Sequence, residues 1–162
     1  ISTMNLILLR HGKAVDKHPD GDFSRPLVEK GRNQARNAAK LLKAAGLLPD
    51  IVLTSPLVRA RQTAEEFCNA AGIPGATIQG WLACGMNPET AMGELAAFHD
   101  FKTVAIVGHE PDFSQLIQWI LGANGGSIEV KKGTIASLRV SPPSRSGTLD
   151  YLIPPMLARS PD

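Results

Sequence analysis

The 162-residue chain is predicted to fold as an α/β three-layer sandwich, with a central, mostly parallel sheet, helices on both faces and an antiparallel edge. Three observations predict it. Short apolar runs alternate with longer segments of helical period. Three of those runs end in a polar or glycine-bearing motif that opens the following helix. The last part of the chain instead carries two strand-like runs around a proline- and serine-rich loop.

The elements follow in order. Asn5 to Leu9 is an apolar run that ends at Arg10, His11 and Gly12, and it reads as a buried strand delivering polar residues at its carboxyl end. Ala35, Ala38, Ala39, Leu41 and Leu42 recur at helical spacing, so Glu29 to Ala45 reads as a helix with its stop at Gly46. Pro49 and Asp50 punctuate the chain before a second strand, Ile51 to Leu53, and Ser55-Pro56 opens a helix from Leu57 to about Ala71 that closes at Gly72. A weaker strand is expected near Thr77 to Gln79, then a poorly specified loop, then a helix over Glu89 to Phe98. Thr103 to Val107 is a clear buried strand ending at Gly108 and His109. Pro111 suits a first helical turn, which makes Asp112 to Leu121 the next helix, and Gly125-Gly126 makes a turn. Thr134 to Val140 and Thr148 to Ile153 read as a hairpin around Ser141 to Gly147. Right-handed crossovers join the parallel strands.

Composition excludes several classes of function. A hydrophobic content of 43% over this length supports one domain with a real core, taken here as residues 4–162, with residues 1–3 ahead of Met4 read as a non-native remnant. The formal net charge of +2 gives no strong field for nucleic acid or an anionic membrane, so any basic function must be local. No run approaches membrane-spanning length, and the short run Leu6 to Leu9 lacks the features of a leader, so a cytoplasmic setting is expected. Cys68 and Cys84 form no CxxC pair and are expected to be buried, reduced thiols rather than metal ligands. His18 in a polar loop and His99 near a helix end form no metal-ligand pair, and Trp81 and Trp119 are expected to pack in the core.

The chemistry concentrates at the three strand ends. Arg10-His11-Gly12, whose glycine lets the backbone turn closely around a ligand, is weak alone, but Ser55-Pro56-Leu57-Val58-Arg59-Ala60-Arg61 puts arginine on the first turn of a helix, where anions are favoured. Arg59 and Arg61, two apart, lie on different helix faces, and Arg61 is assigned to solvent. Gly108-His109-Glu110-Pro111 again joins a strand end to a helix start. In a parallel sheet these ends share one edge, so Arg10, His11, Arg59 and His109 are expected to line one pocket for a tetrahedral anion.

These motifs, together with Gln62-Thr63-Ala64, resemble the histidine phosphatase, or phosphoglycerate mutase-like, superfamily over most of the chain. The length and the segment Asp22-Phe23-Ser24-Arg25-Pro26-Leu27 leading to Gly31 resemble its small SixA-type phosphohistidine phosphatases, which lack the large helical cap. The resemblance implies that His11 is the nucleophile and forms a phosphohistidine, that Arg10, Arg59 and His109 bind the phosphoryl group, and that Arg25 is a further pocket residue. It implies no metal and no cofactor. Lys13 stands where many relatives carry an acid and so changes the pocket's edge.

His11 must be neutral to attack phosphorus, with one ring nitrogen fixed as a donor and the other free. Nearby arginines disfavour the imidazolium and stabilise the phosphoryl oxygens in flight. The proton donor is less well marked. Glu110 is one candidate, with a plain role at a helix amino terminus as the competing reading. Asp16, Asp22 and Glu89 are loop acids also within conceivable reach. A weak acid is tolerable if the substrate is phosphohistidine, whose imidazole leaves readily. That favours a phosphoramidate over an alkyl phosphate, and the resemblance implies as partner a phosphohistidine-bearing protein such as a histidine phosphotransfer domain. Small phosphate monoesters and a noncatalytic phosphate- or partner-binding module are the alternatives.

Overall fold

A computed structural model describes residues 3–159, so Ile1 and Ser2 of the segment read as a remnant lie outside the described residues. Six strands form one sheet: β1 (Met4–Arg10), β2 (Ile51–Thr54), β3 (Thr77–Ile78), β4 (Thr103–Gly108), β5 (Ile135–Val140) and β6 (Gly147–Ile153). Their spatial order is β3-β2-β4-β1-β5-β6. Neighbours among β3, β2, β4 and β1 pair parallel, whereas β5 pairs antiparallel with both β1 and β6. This is the expected mostly parallel sheet with an antiparallel edge.

Side-chain alternation along the strands separates the two helical layers. Ile7 and Leu9 of β1 face one cluster with Ala38, Ala39 and Leu42 of α1 (Glu29–Ala45) and Ala60, Ala64 and Phe67 of α2 (Val58–Ala71). Leu6 and Leu8 face the other cluster, with Met92 and Leu95 of α3 (Pro88–Leu95) and Phe113, Leu116 and Ile117 of α4 (Asp112–Leu121). Truncating one such fully buried leucine to alanine costs roughly 2–5 kcal/mol.

The helix limits follow local chemistry. Gly46, Gly72 and Gly122 each adopt the left-handed conformation just past α1, α2 and α4, where their N–H groups close onto the last carbonyls. Asn87 caps α3 by accepting the Thr90 N–H, with Pro88 at the first position. The helix expected to run to Phe98 ends at Leu95 and tightens into a 3-10 turn over Ala96–Phe98, a common way for a last turn to finish. Pro111 precedes α4 rather than entering its first turn.

Register levels the carboxyl ends of three strands. Arg10 is opposite Gly108, and Thr54 is opposite Val107. The ladder continues one residue beyond: His11 N–H donates to Gly108 O at 3.0 Å and Ser55 N–H to Val107 O at 2.9 Å. Three motifs far apart in sequence thus meet on one edge. Among the described residues no helix is long and apolar enough to cross a membrane.

Candidate active site

The residue after β1, His11, is buried, and its ring lies 5.3 Å between centroids from that of His109, the residue after β4. His11 Nδ1 is 2.8 Å from the Gly12 carbonyl oxygen, which only accepts, so Nδ1 carries the proton. The lone pair is then on Nε2, and there Arg59 Nε donates at 3.3 Å. The two partners fix one tautomer, with the lone-pair nitrogen turned toward a guanidinium.

Electrostatics keep this imidazole neutral. Burial is the main cause that pushes His11 down to about 3; the Gly12 carbonyl opposes it, and the charges of His109, Arg59 and Arg10 reinforce it. His109 is pushed down to about 4, again chiefly by burial and then by Arg59. Its Nε2 lies 2.7 Å from Ser55 Oγ, which already accepts the Leu57 N–H. Among the described residues His109 Nε2 is the only acceptor for the serine proton, so the proton of neutral His109 sits on Nδ1.

That Nδ1–H has no partner, and neither has Arg10 Nε; both are buried. Buried donors are paired in the great majority of cases, and two orphans at one strand edge mark a place built for acceptor oxygens. The third orphan, Thr134 Oγ1, belongs to the residue whose carbonyl accepts the Arg10 N–H at 3.1 Å. Arg10 itself is held by Nη1 donating to Val130 O at 2.9 Å. Arginine donors and a neutral imidazole N–H suit a phosphoryl group.

Arg59 is the hub of the other side. It lies in the first turn of α2 and is 4% exposed. Nη1 donates to Asp22 O at 2.9 Å, and Nη2 to Asp22 Oδ2 at 3.2 Å and toward Cys84 Sγ at 3.8 Å. Asp22 is held below the usual carboxylate range: its partial burial acts upward, but the Arg25 hydrogen bond and the Arg59 charge outweigh it. The rest of the α2 motif is structural. Gln62 Oε1 accepts the Leu27 N–H, while Thr63 Oγ1 accepts the Gly12 N–H and donates to Arg59 O.

The expected quartet Arg10, His11, Arg59 and His109 is brought together; other sites are placed differently. Arg25 has Nε on Asp22 Oδ1 and Nη1 on Val15 O, so it braces the mouth. Glu110 accepts the Ser114 N–H with Oε1 at 2.7 Å, the helix-terminal role that competed with proton donation. Ser55 is the site residue that motif reading left without a role, and Asp22, read there only as a loop acid within reach of the pocket, holds Arg59; both contacts are visible only in the fold. Cys68 is buried, but Cys84 is exposed, because it sits on the loop after Leu82 rather than in the core. Gly12 serves packing rather than ligand access: an added Cβ would clash with the backbone carbonyl of Gly31. Arg61 is exposed, as assigned.

Comparison with known proteins agrees with this geometry. The sequence model of the histidine phosphatase superfamily (branch 1) matches residues 6–82. An uncharacterized protein of Picosynechococcus is 37% identical over 147 residues, covering 84% of this chain and 85% of its own. The 2,3-bisphosphoglycerate-dependent phosphoglycerate mutase of Corynebacterium diphtheriae is 43% identical over 74 residues, which is 44% of this chain and only 30% of the mutase. The structure of the protein histidine phosphatase SixA complexed with tungstate superposes with a TM-score of 0.85 at 26% identity, covering 94% of this chain and 98% of that one. With three leveled strand ends, a buried histidine pair and a fold shared along nearly its whole length with SixA, the chain belongs to the histidine phosphatase superfamily, in its small SixA-type branch.

Proposed function

We propose that this phosphatase removes the phosphoryl group from phosphohistidine in a protein, through a covalent intermediate on His11 and without a metal or other cofactor. The observation that carries the reading is the fixed tautomer of His11: Nδ1–H on Gly12 O leaves the Nε2 lone pair facing Arg59. In the first step Nε2 forms a bond to phosphorus as the bond from phosphorus to the substrate's ring nitrogen breaks; that imidazole leaves as a neutral group once protonated from solvent. Water then attacks the phosphohistidine on His11, inorganic phosphate departs, and the Nε2 lone pair is restored. Arg10, Arg59 and the Nδ1–H of His109 stabilise the phosphoryl oxygens in both steps. Arg25 supports the pocket through Asp22.

The substrate class is supported by the state of the acids. Asp22 at the mouth is held below the usual carboxylate range, which makes it a poor proton donor at neutral pH. Glu110 is occupied at the start of α4. A phosphoramidate needs less help at the leaving group than an alkyl phosphate does. SixA, the structural relative named a protein histidine phosphatase, was captured with tungstate, a tetrahedral oxyanion of the kind these donors suit.

The test compares a phosphohistidine-bearing phosphotransfer domain with a panel of small phosphate monoesters, with chelator present, using wild type beside His11→Ala. Preferential, chelator-resistant loss of phosphohistidine that disappears in the variant is expected. Preference for a monoester would move the substrate to the small-molecule alternative, and inactivity on every compound would favour a binding module.

A further inference from the structure

A shallow groove leaves the pocket at Arg10 and is lined by Lys13, Lys30, Lys131 and Lys132. It continues into a second depression, sharing Lys30, Gln34 and Pro155, that ends at Met156 and Arg159. The four lysines are exposed, and among the described residues no carboxylate lies within ion-pair distance of any of them. The chain's net charge is only +2, so four unpaired cations along one rim are a concentration and not the background.

Their positions are fixed relative to the phosphate donors. Lys131 and Lys132 lie on a tight turn closed by Thr134 N–H on Lys131 O, and the next residue, Gly133, donates its N–H to both Arg10 O and His11 O at 3.1 Å. Lys13 is two residues from His11, with its N–H on Gln34 Oε1 at 3.0 Å and its carbonyl accepting the Val28 N–H at 3.0 Å. Lys30 is in the first turn of α1, beside Gly31, which packs on Gly12 and Lys13. Three chain segments are thus stitched around one strand end, and each contributes cations to the same side. The opposite rim is mixed, with Asp16 and Asp22 set among Lys17 and Arg25.

We propose that this groove docks an acidic face of the phosphorylated protein while its phosphoryl group enters the pocket, an inference that rests on the protein-substrate reading above. Arg10, one of the phosphate donors, lines the groove itself, so the cations lie beside the molecule that carries the phosphoryl group. It offers no aromatic ring on which a base could stack, which disfavours a nucleic acid, and Met156, 55% exposed at its far end, gives an apolar contact of the kind a protein face covers.

The test uses two phosphohistidine peptides that differ only in their flanks, acidic in one and the corresponding amides in the other, together with free phosphohistidine. Wild type should hydrolyse the acidic peptide with kcat/KM on the order of tenfold higher at low salt, and the preference should shrink as salt rises. Combined Lys30→Glu, Lys131→Glu and Lys132→Glu should abolish or invert the preference while turnover of free phosphohistidine stays at the wild-type value. The corresponding glutamine variant, a milder change, should abolish it without inversion. A preference that survives either variant, or a wild-type preference indifferent to salt, would overturn the proposal. So would a single-stranded oligonucleotide that inhibits as strongly as the acidic peptide. If no phosphohistidine compound is hydrolysed, the functional reading fails separately, and the same flanking contrast on phosphoserine peptides decides the groove.

Discussion

The two arginines of the pocket occupy unequal surroundings. Arg59 is nearly saturated: Nε, Nη1 and Nη2 reach His11 and Asp22, so it orients the His11 ring and already holds a carboxylate. Arg10 is anchored by one nitrogen on Val130 O and keeps a buried Nε without a partner. The difference teaches a division of labour. The α2 side holds the lone-pair nitrogen of His11, while Arg10, on the β5 side of β1, and the orphan N–H of His109, just after β4, offer the free donors.

The sharpest way to break this comparison is Arg59→Lys beside Arg10→Lys. A lysine at 59 forfeits the fork that holds His11 Nε2 and Asp22 together, so kcat should fall on the order of 100-fold. Arg10→Lys should act more on KM and by roughly tenfold, because it removes a phosphate donor and leaves the nucleophile in place. Equal effects on kcat, measured by steady-state kinetics, would erase the distinction.

Ser55→Ala tests the other histidine. The serine proton holds His109 with Nδ1–H toward the orphan position, so its loss should lower kcat/KM by about fivefold, the value of one neutral hydrogen bond, and should also lower thermal stability, because the buried Leu57 N–H and His109 Nε2 lose their partner. An unaltered rate would remove His109 tautomer control from the mechanism. A smaller effect is expected at the mouth, where the Asp22 carboxylate competes with a bound oxyanion for Arg59. Asp22→Asn should tighten inhibition by tungstate by about threefold, and weaker inhibition would show that Asp22 assists binding.

The histidine pair also predicts an acid-labile fold. Both are held neutral, down to about 3 for His11 and about 4 for His109, whereas the unfolded chain takes up protons below about 6.5. The unfolded state therefore binds more protons as pH falls from about 6.5. Stability should drop through that range, by at most about 2 kcal/mol per histidine at pH 5, and level off for each only below its folded value. Denaturant melts of wild type at pH 7 and pH 5 should show the drop, and His11→Ala should show less of it.

Much of the fold was legible because its punctuation is local. Gly46 and Gly72 end α1 and α2 where left-handed caps are needed, and the apolar runs of β1, β2 and β4 can be buried on both faces only as central strands. The quartet Arg10, His11, Arg59 and His109 was legible because each lies one step beyond a strand or in the following first turn. The contacts of Asp22 and Cys84 with Arg59 were not, since each reaches it from a segment more than twenty residues away in sequence and no periodicity marks either pairing. Gly12 looked like access for a ligand because glycine frees space on any side; only the crossing of α1 shows that Gly31 fills it.

The most direct measurement is to quench wild-type enzyme during turnover of a phosphohistidine substrate in alkali, where phosphohistidine survives, and to locate the phosphoryl group by mass spectrometry of its peptides. The phosphoryl group should be on His11 alone, with none on the protein in His11→Ala. Label on His109, on another residue, or on the variant at wild-type level would contradict the His11 intermediate.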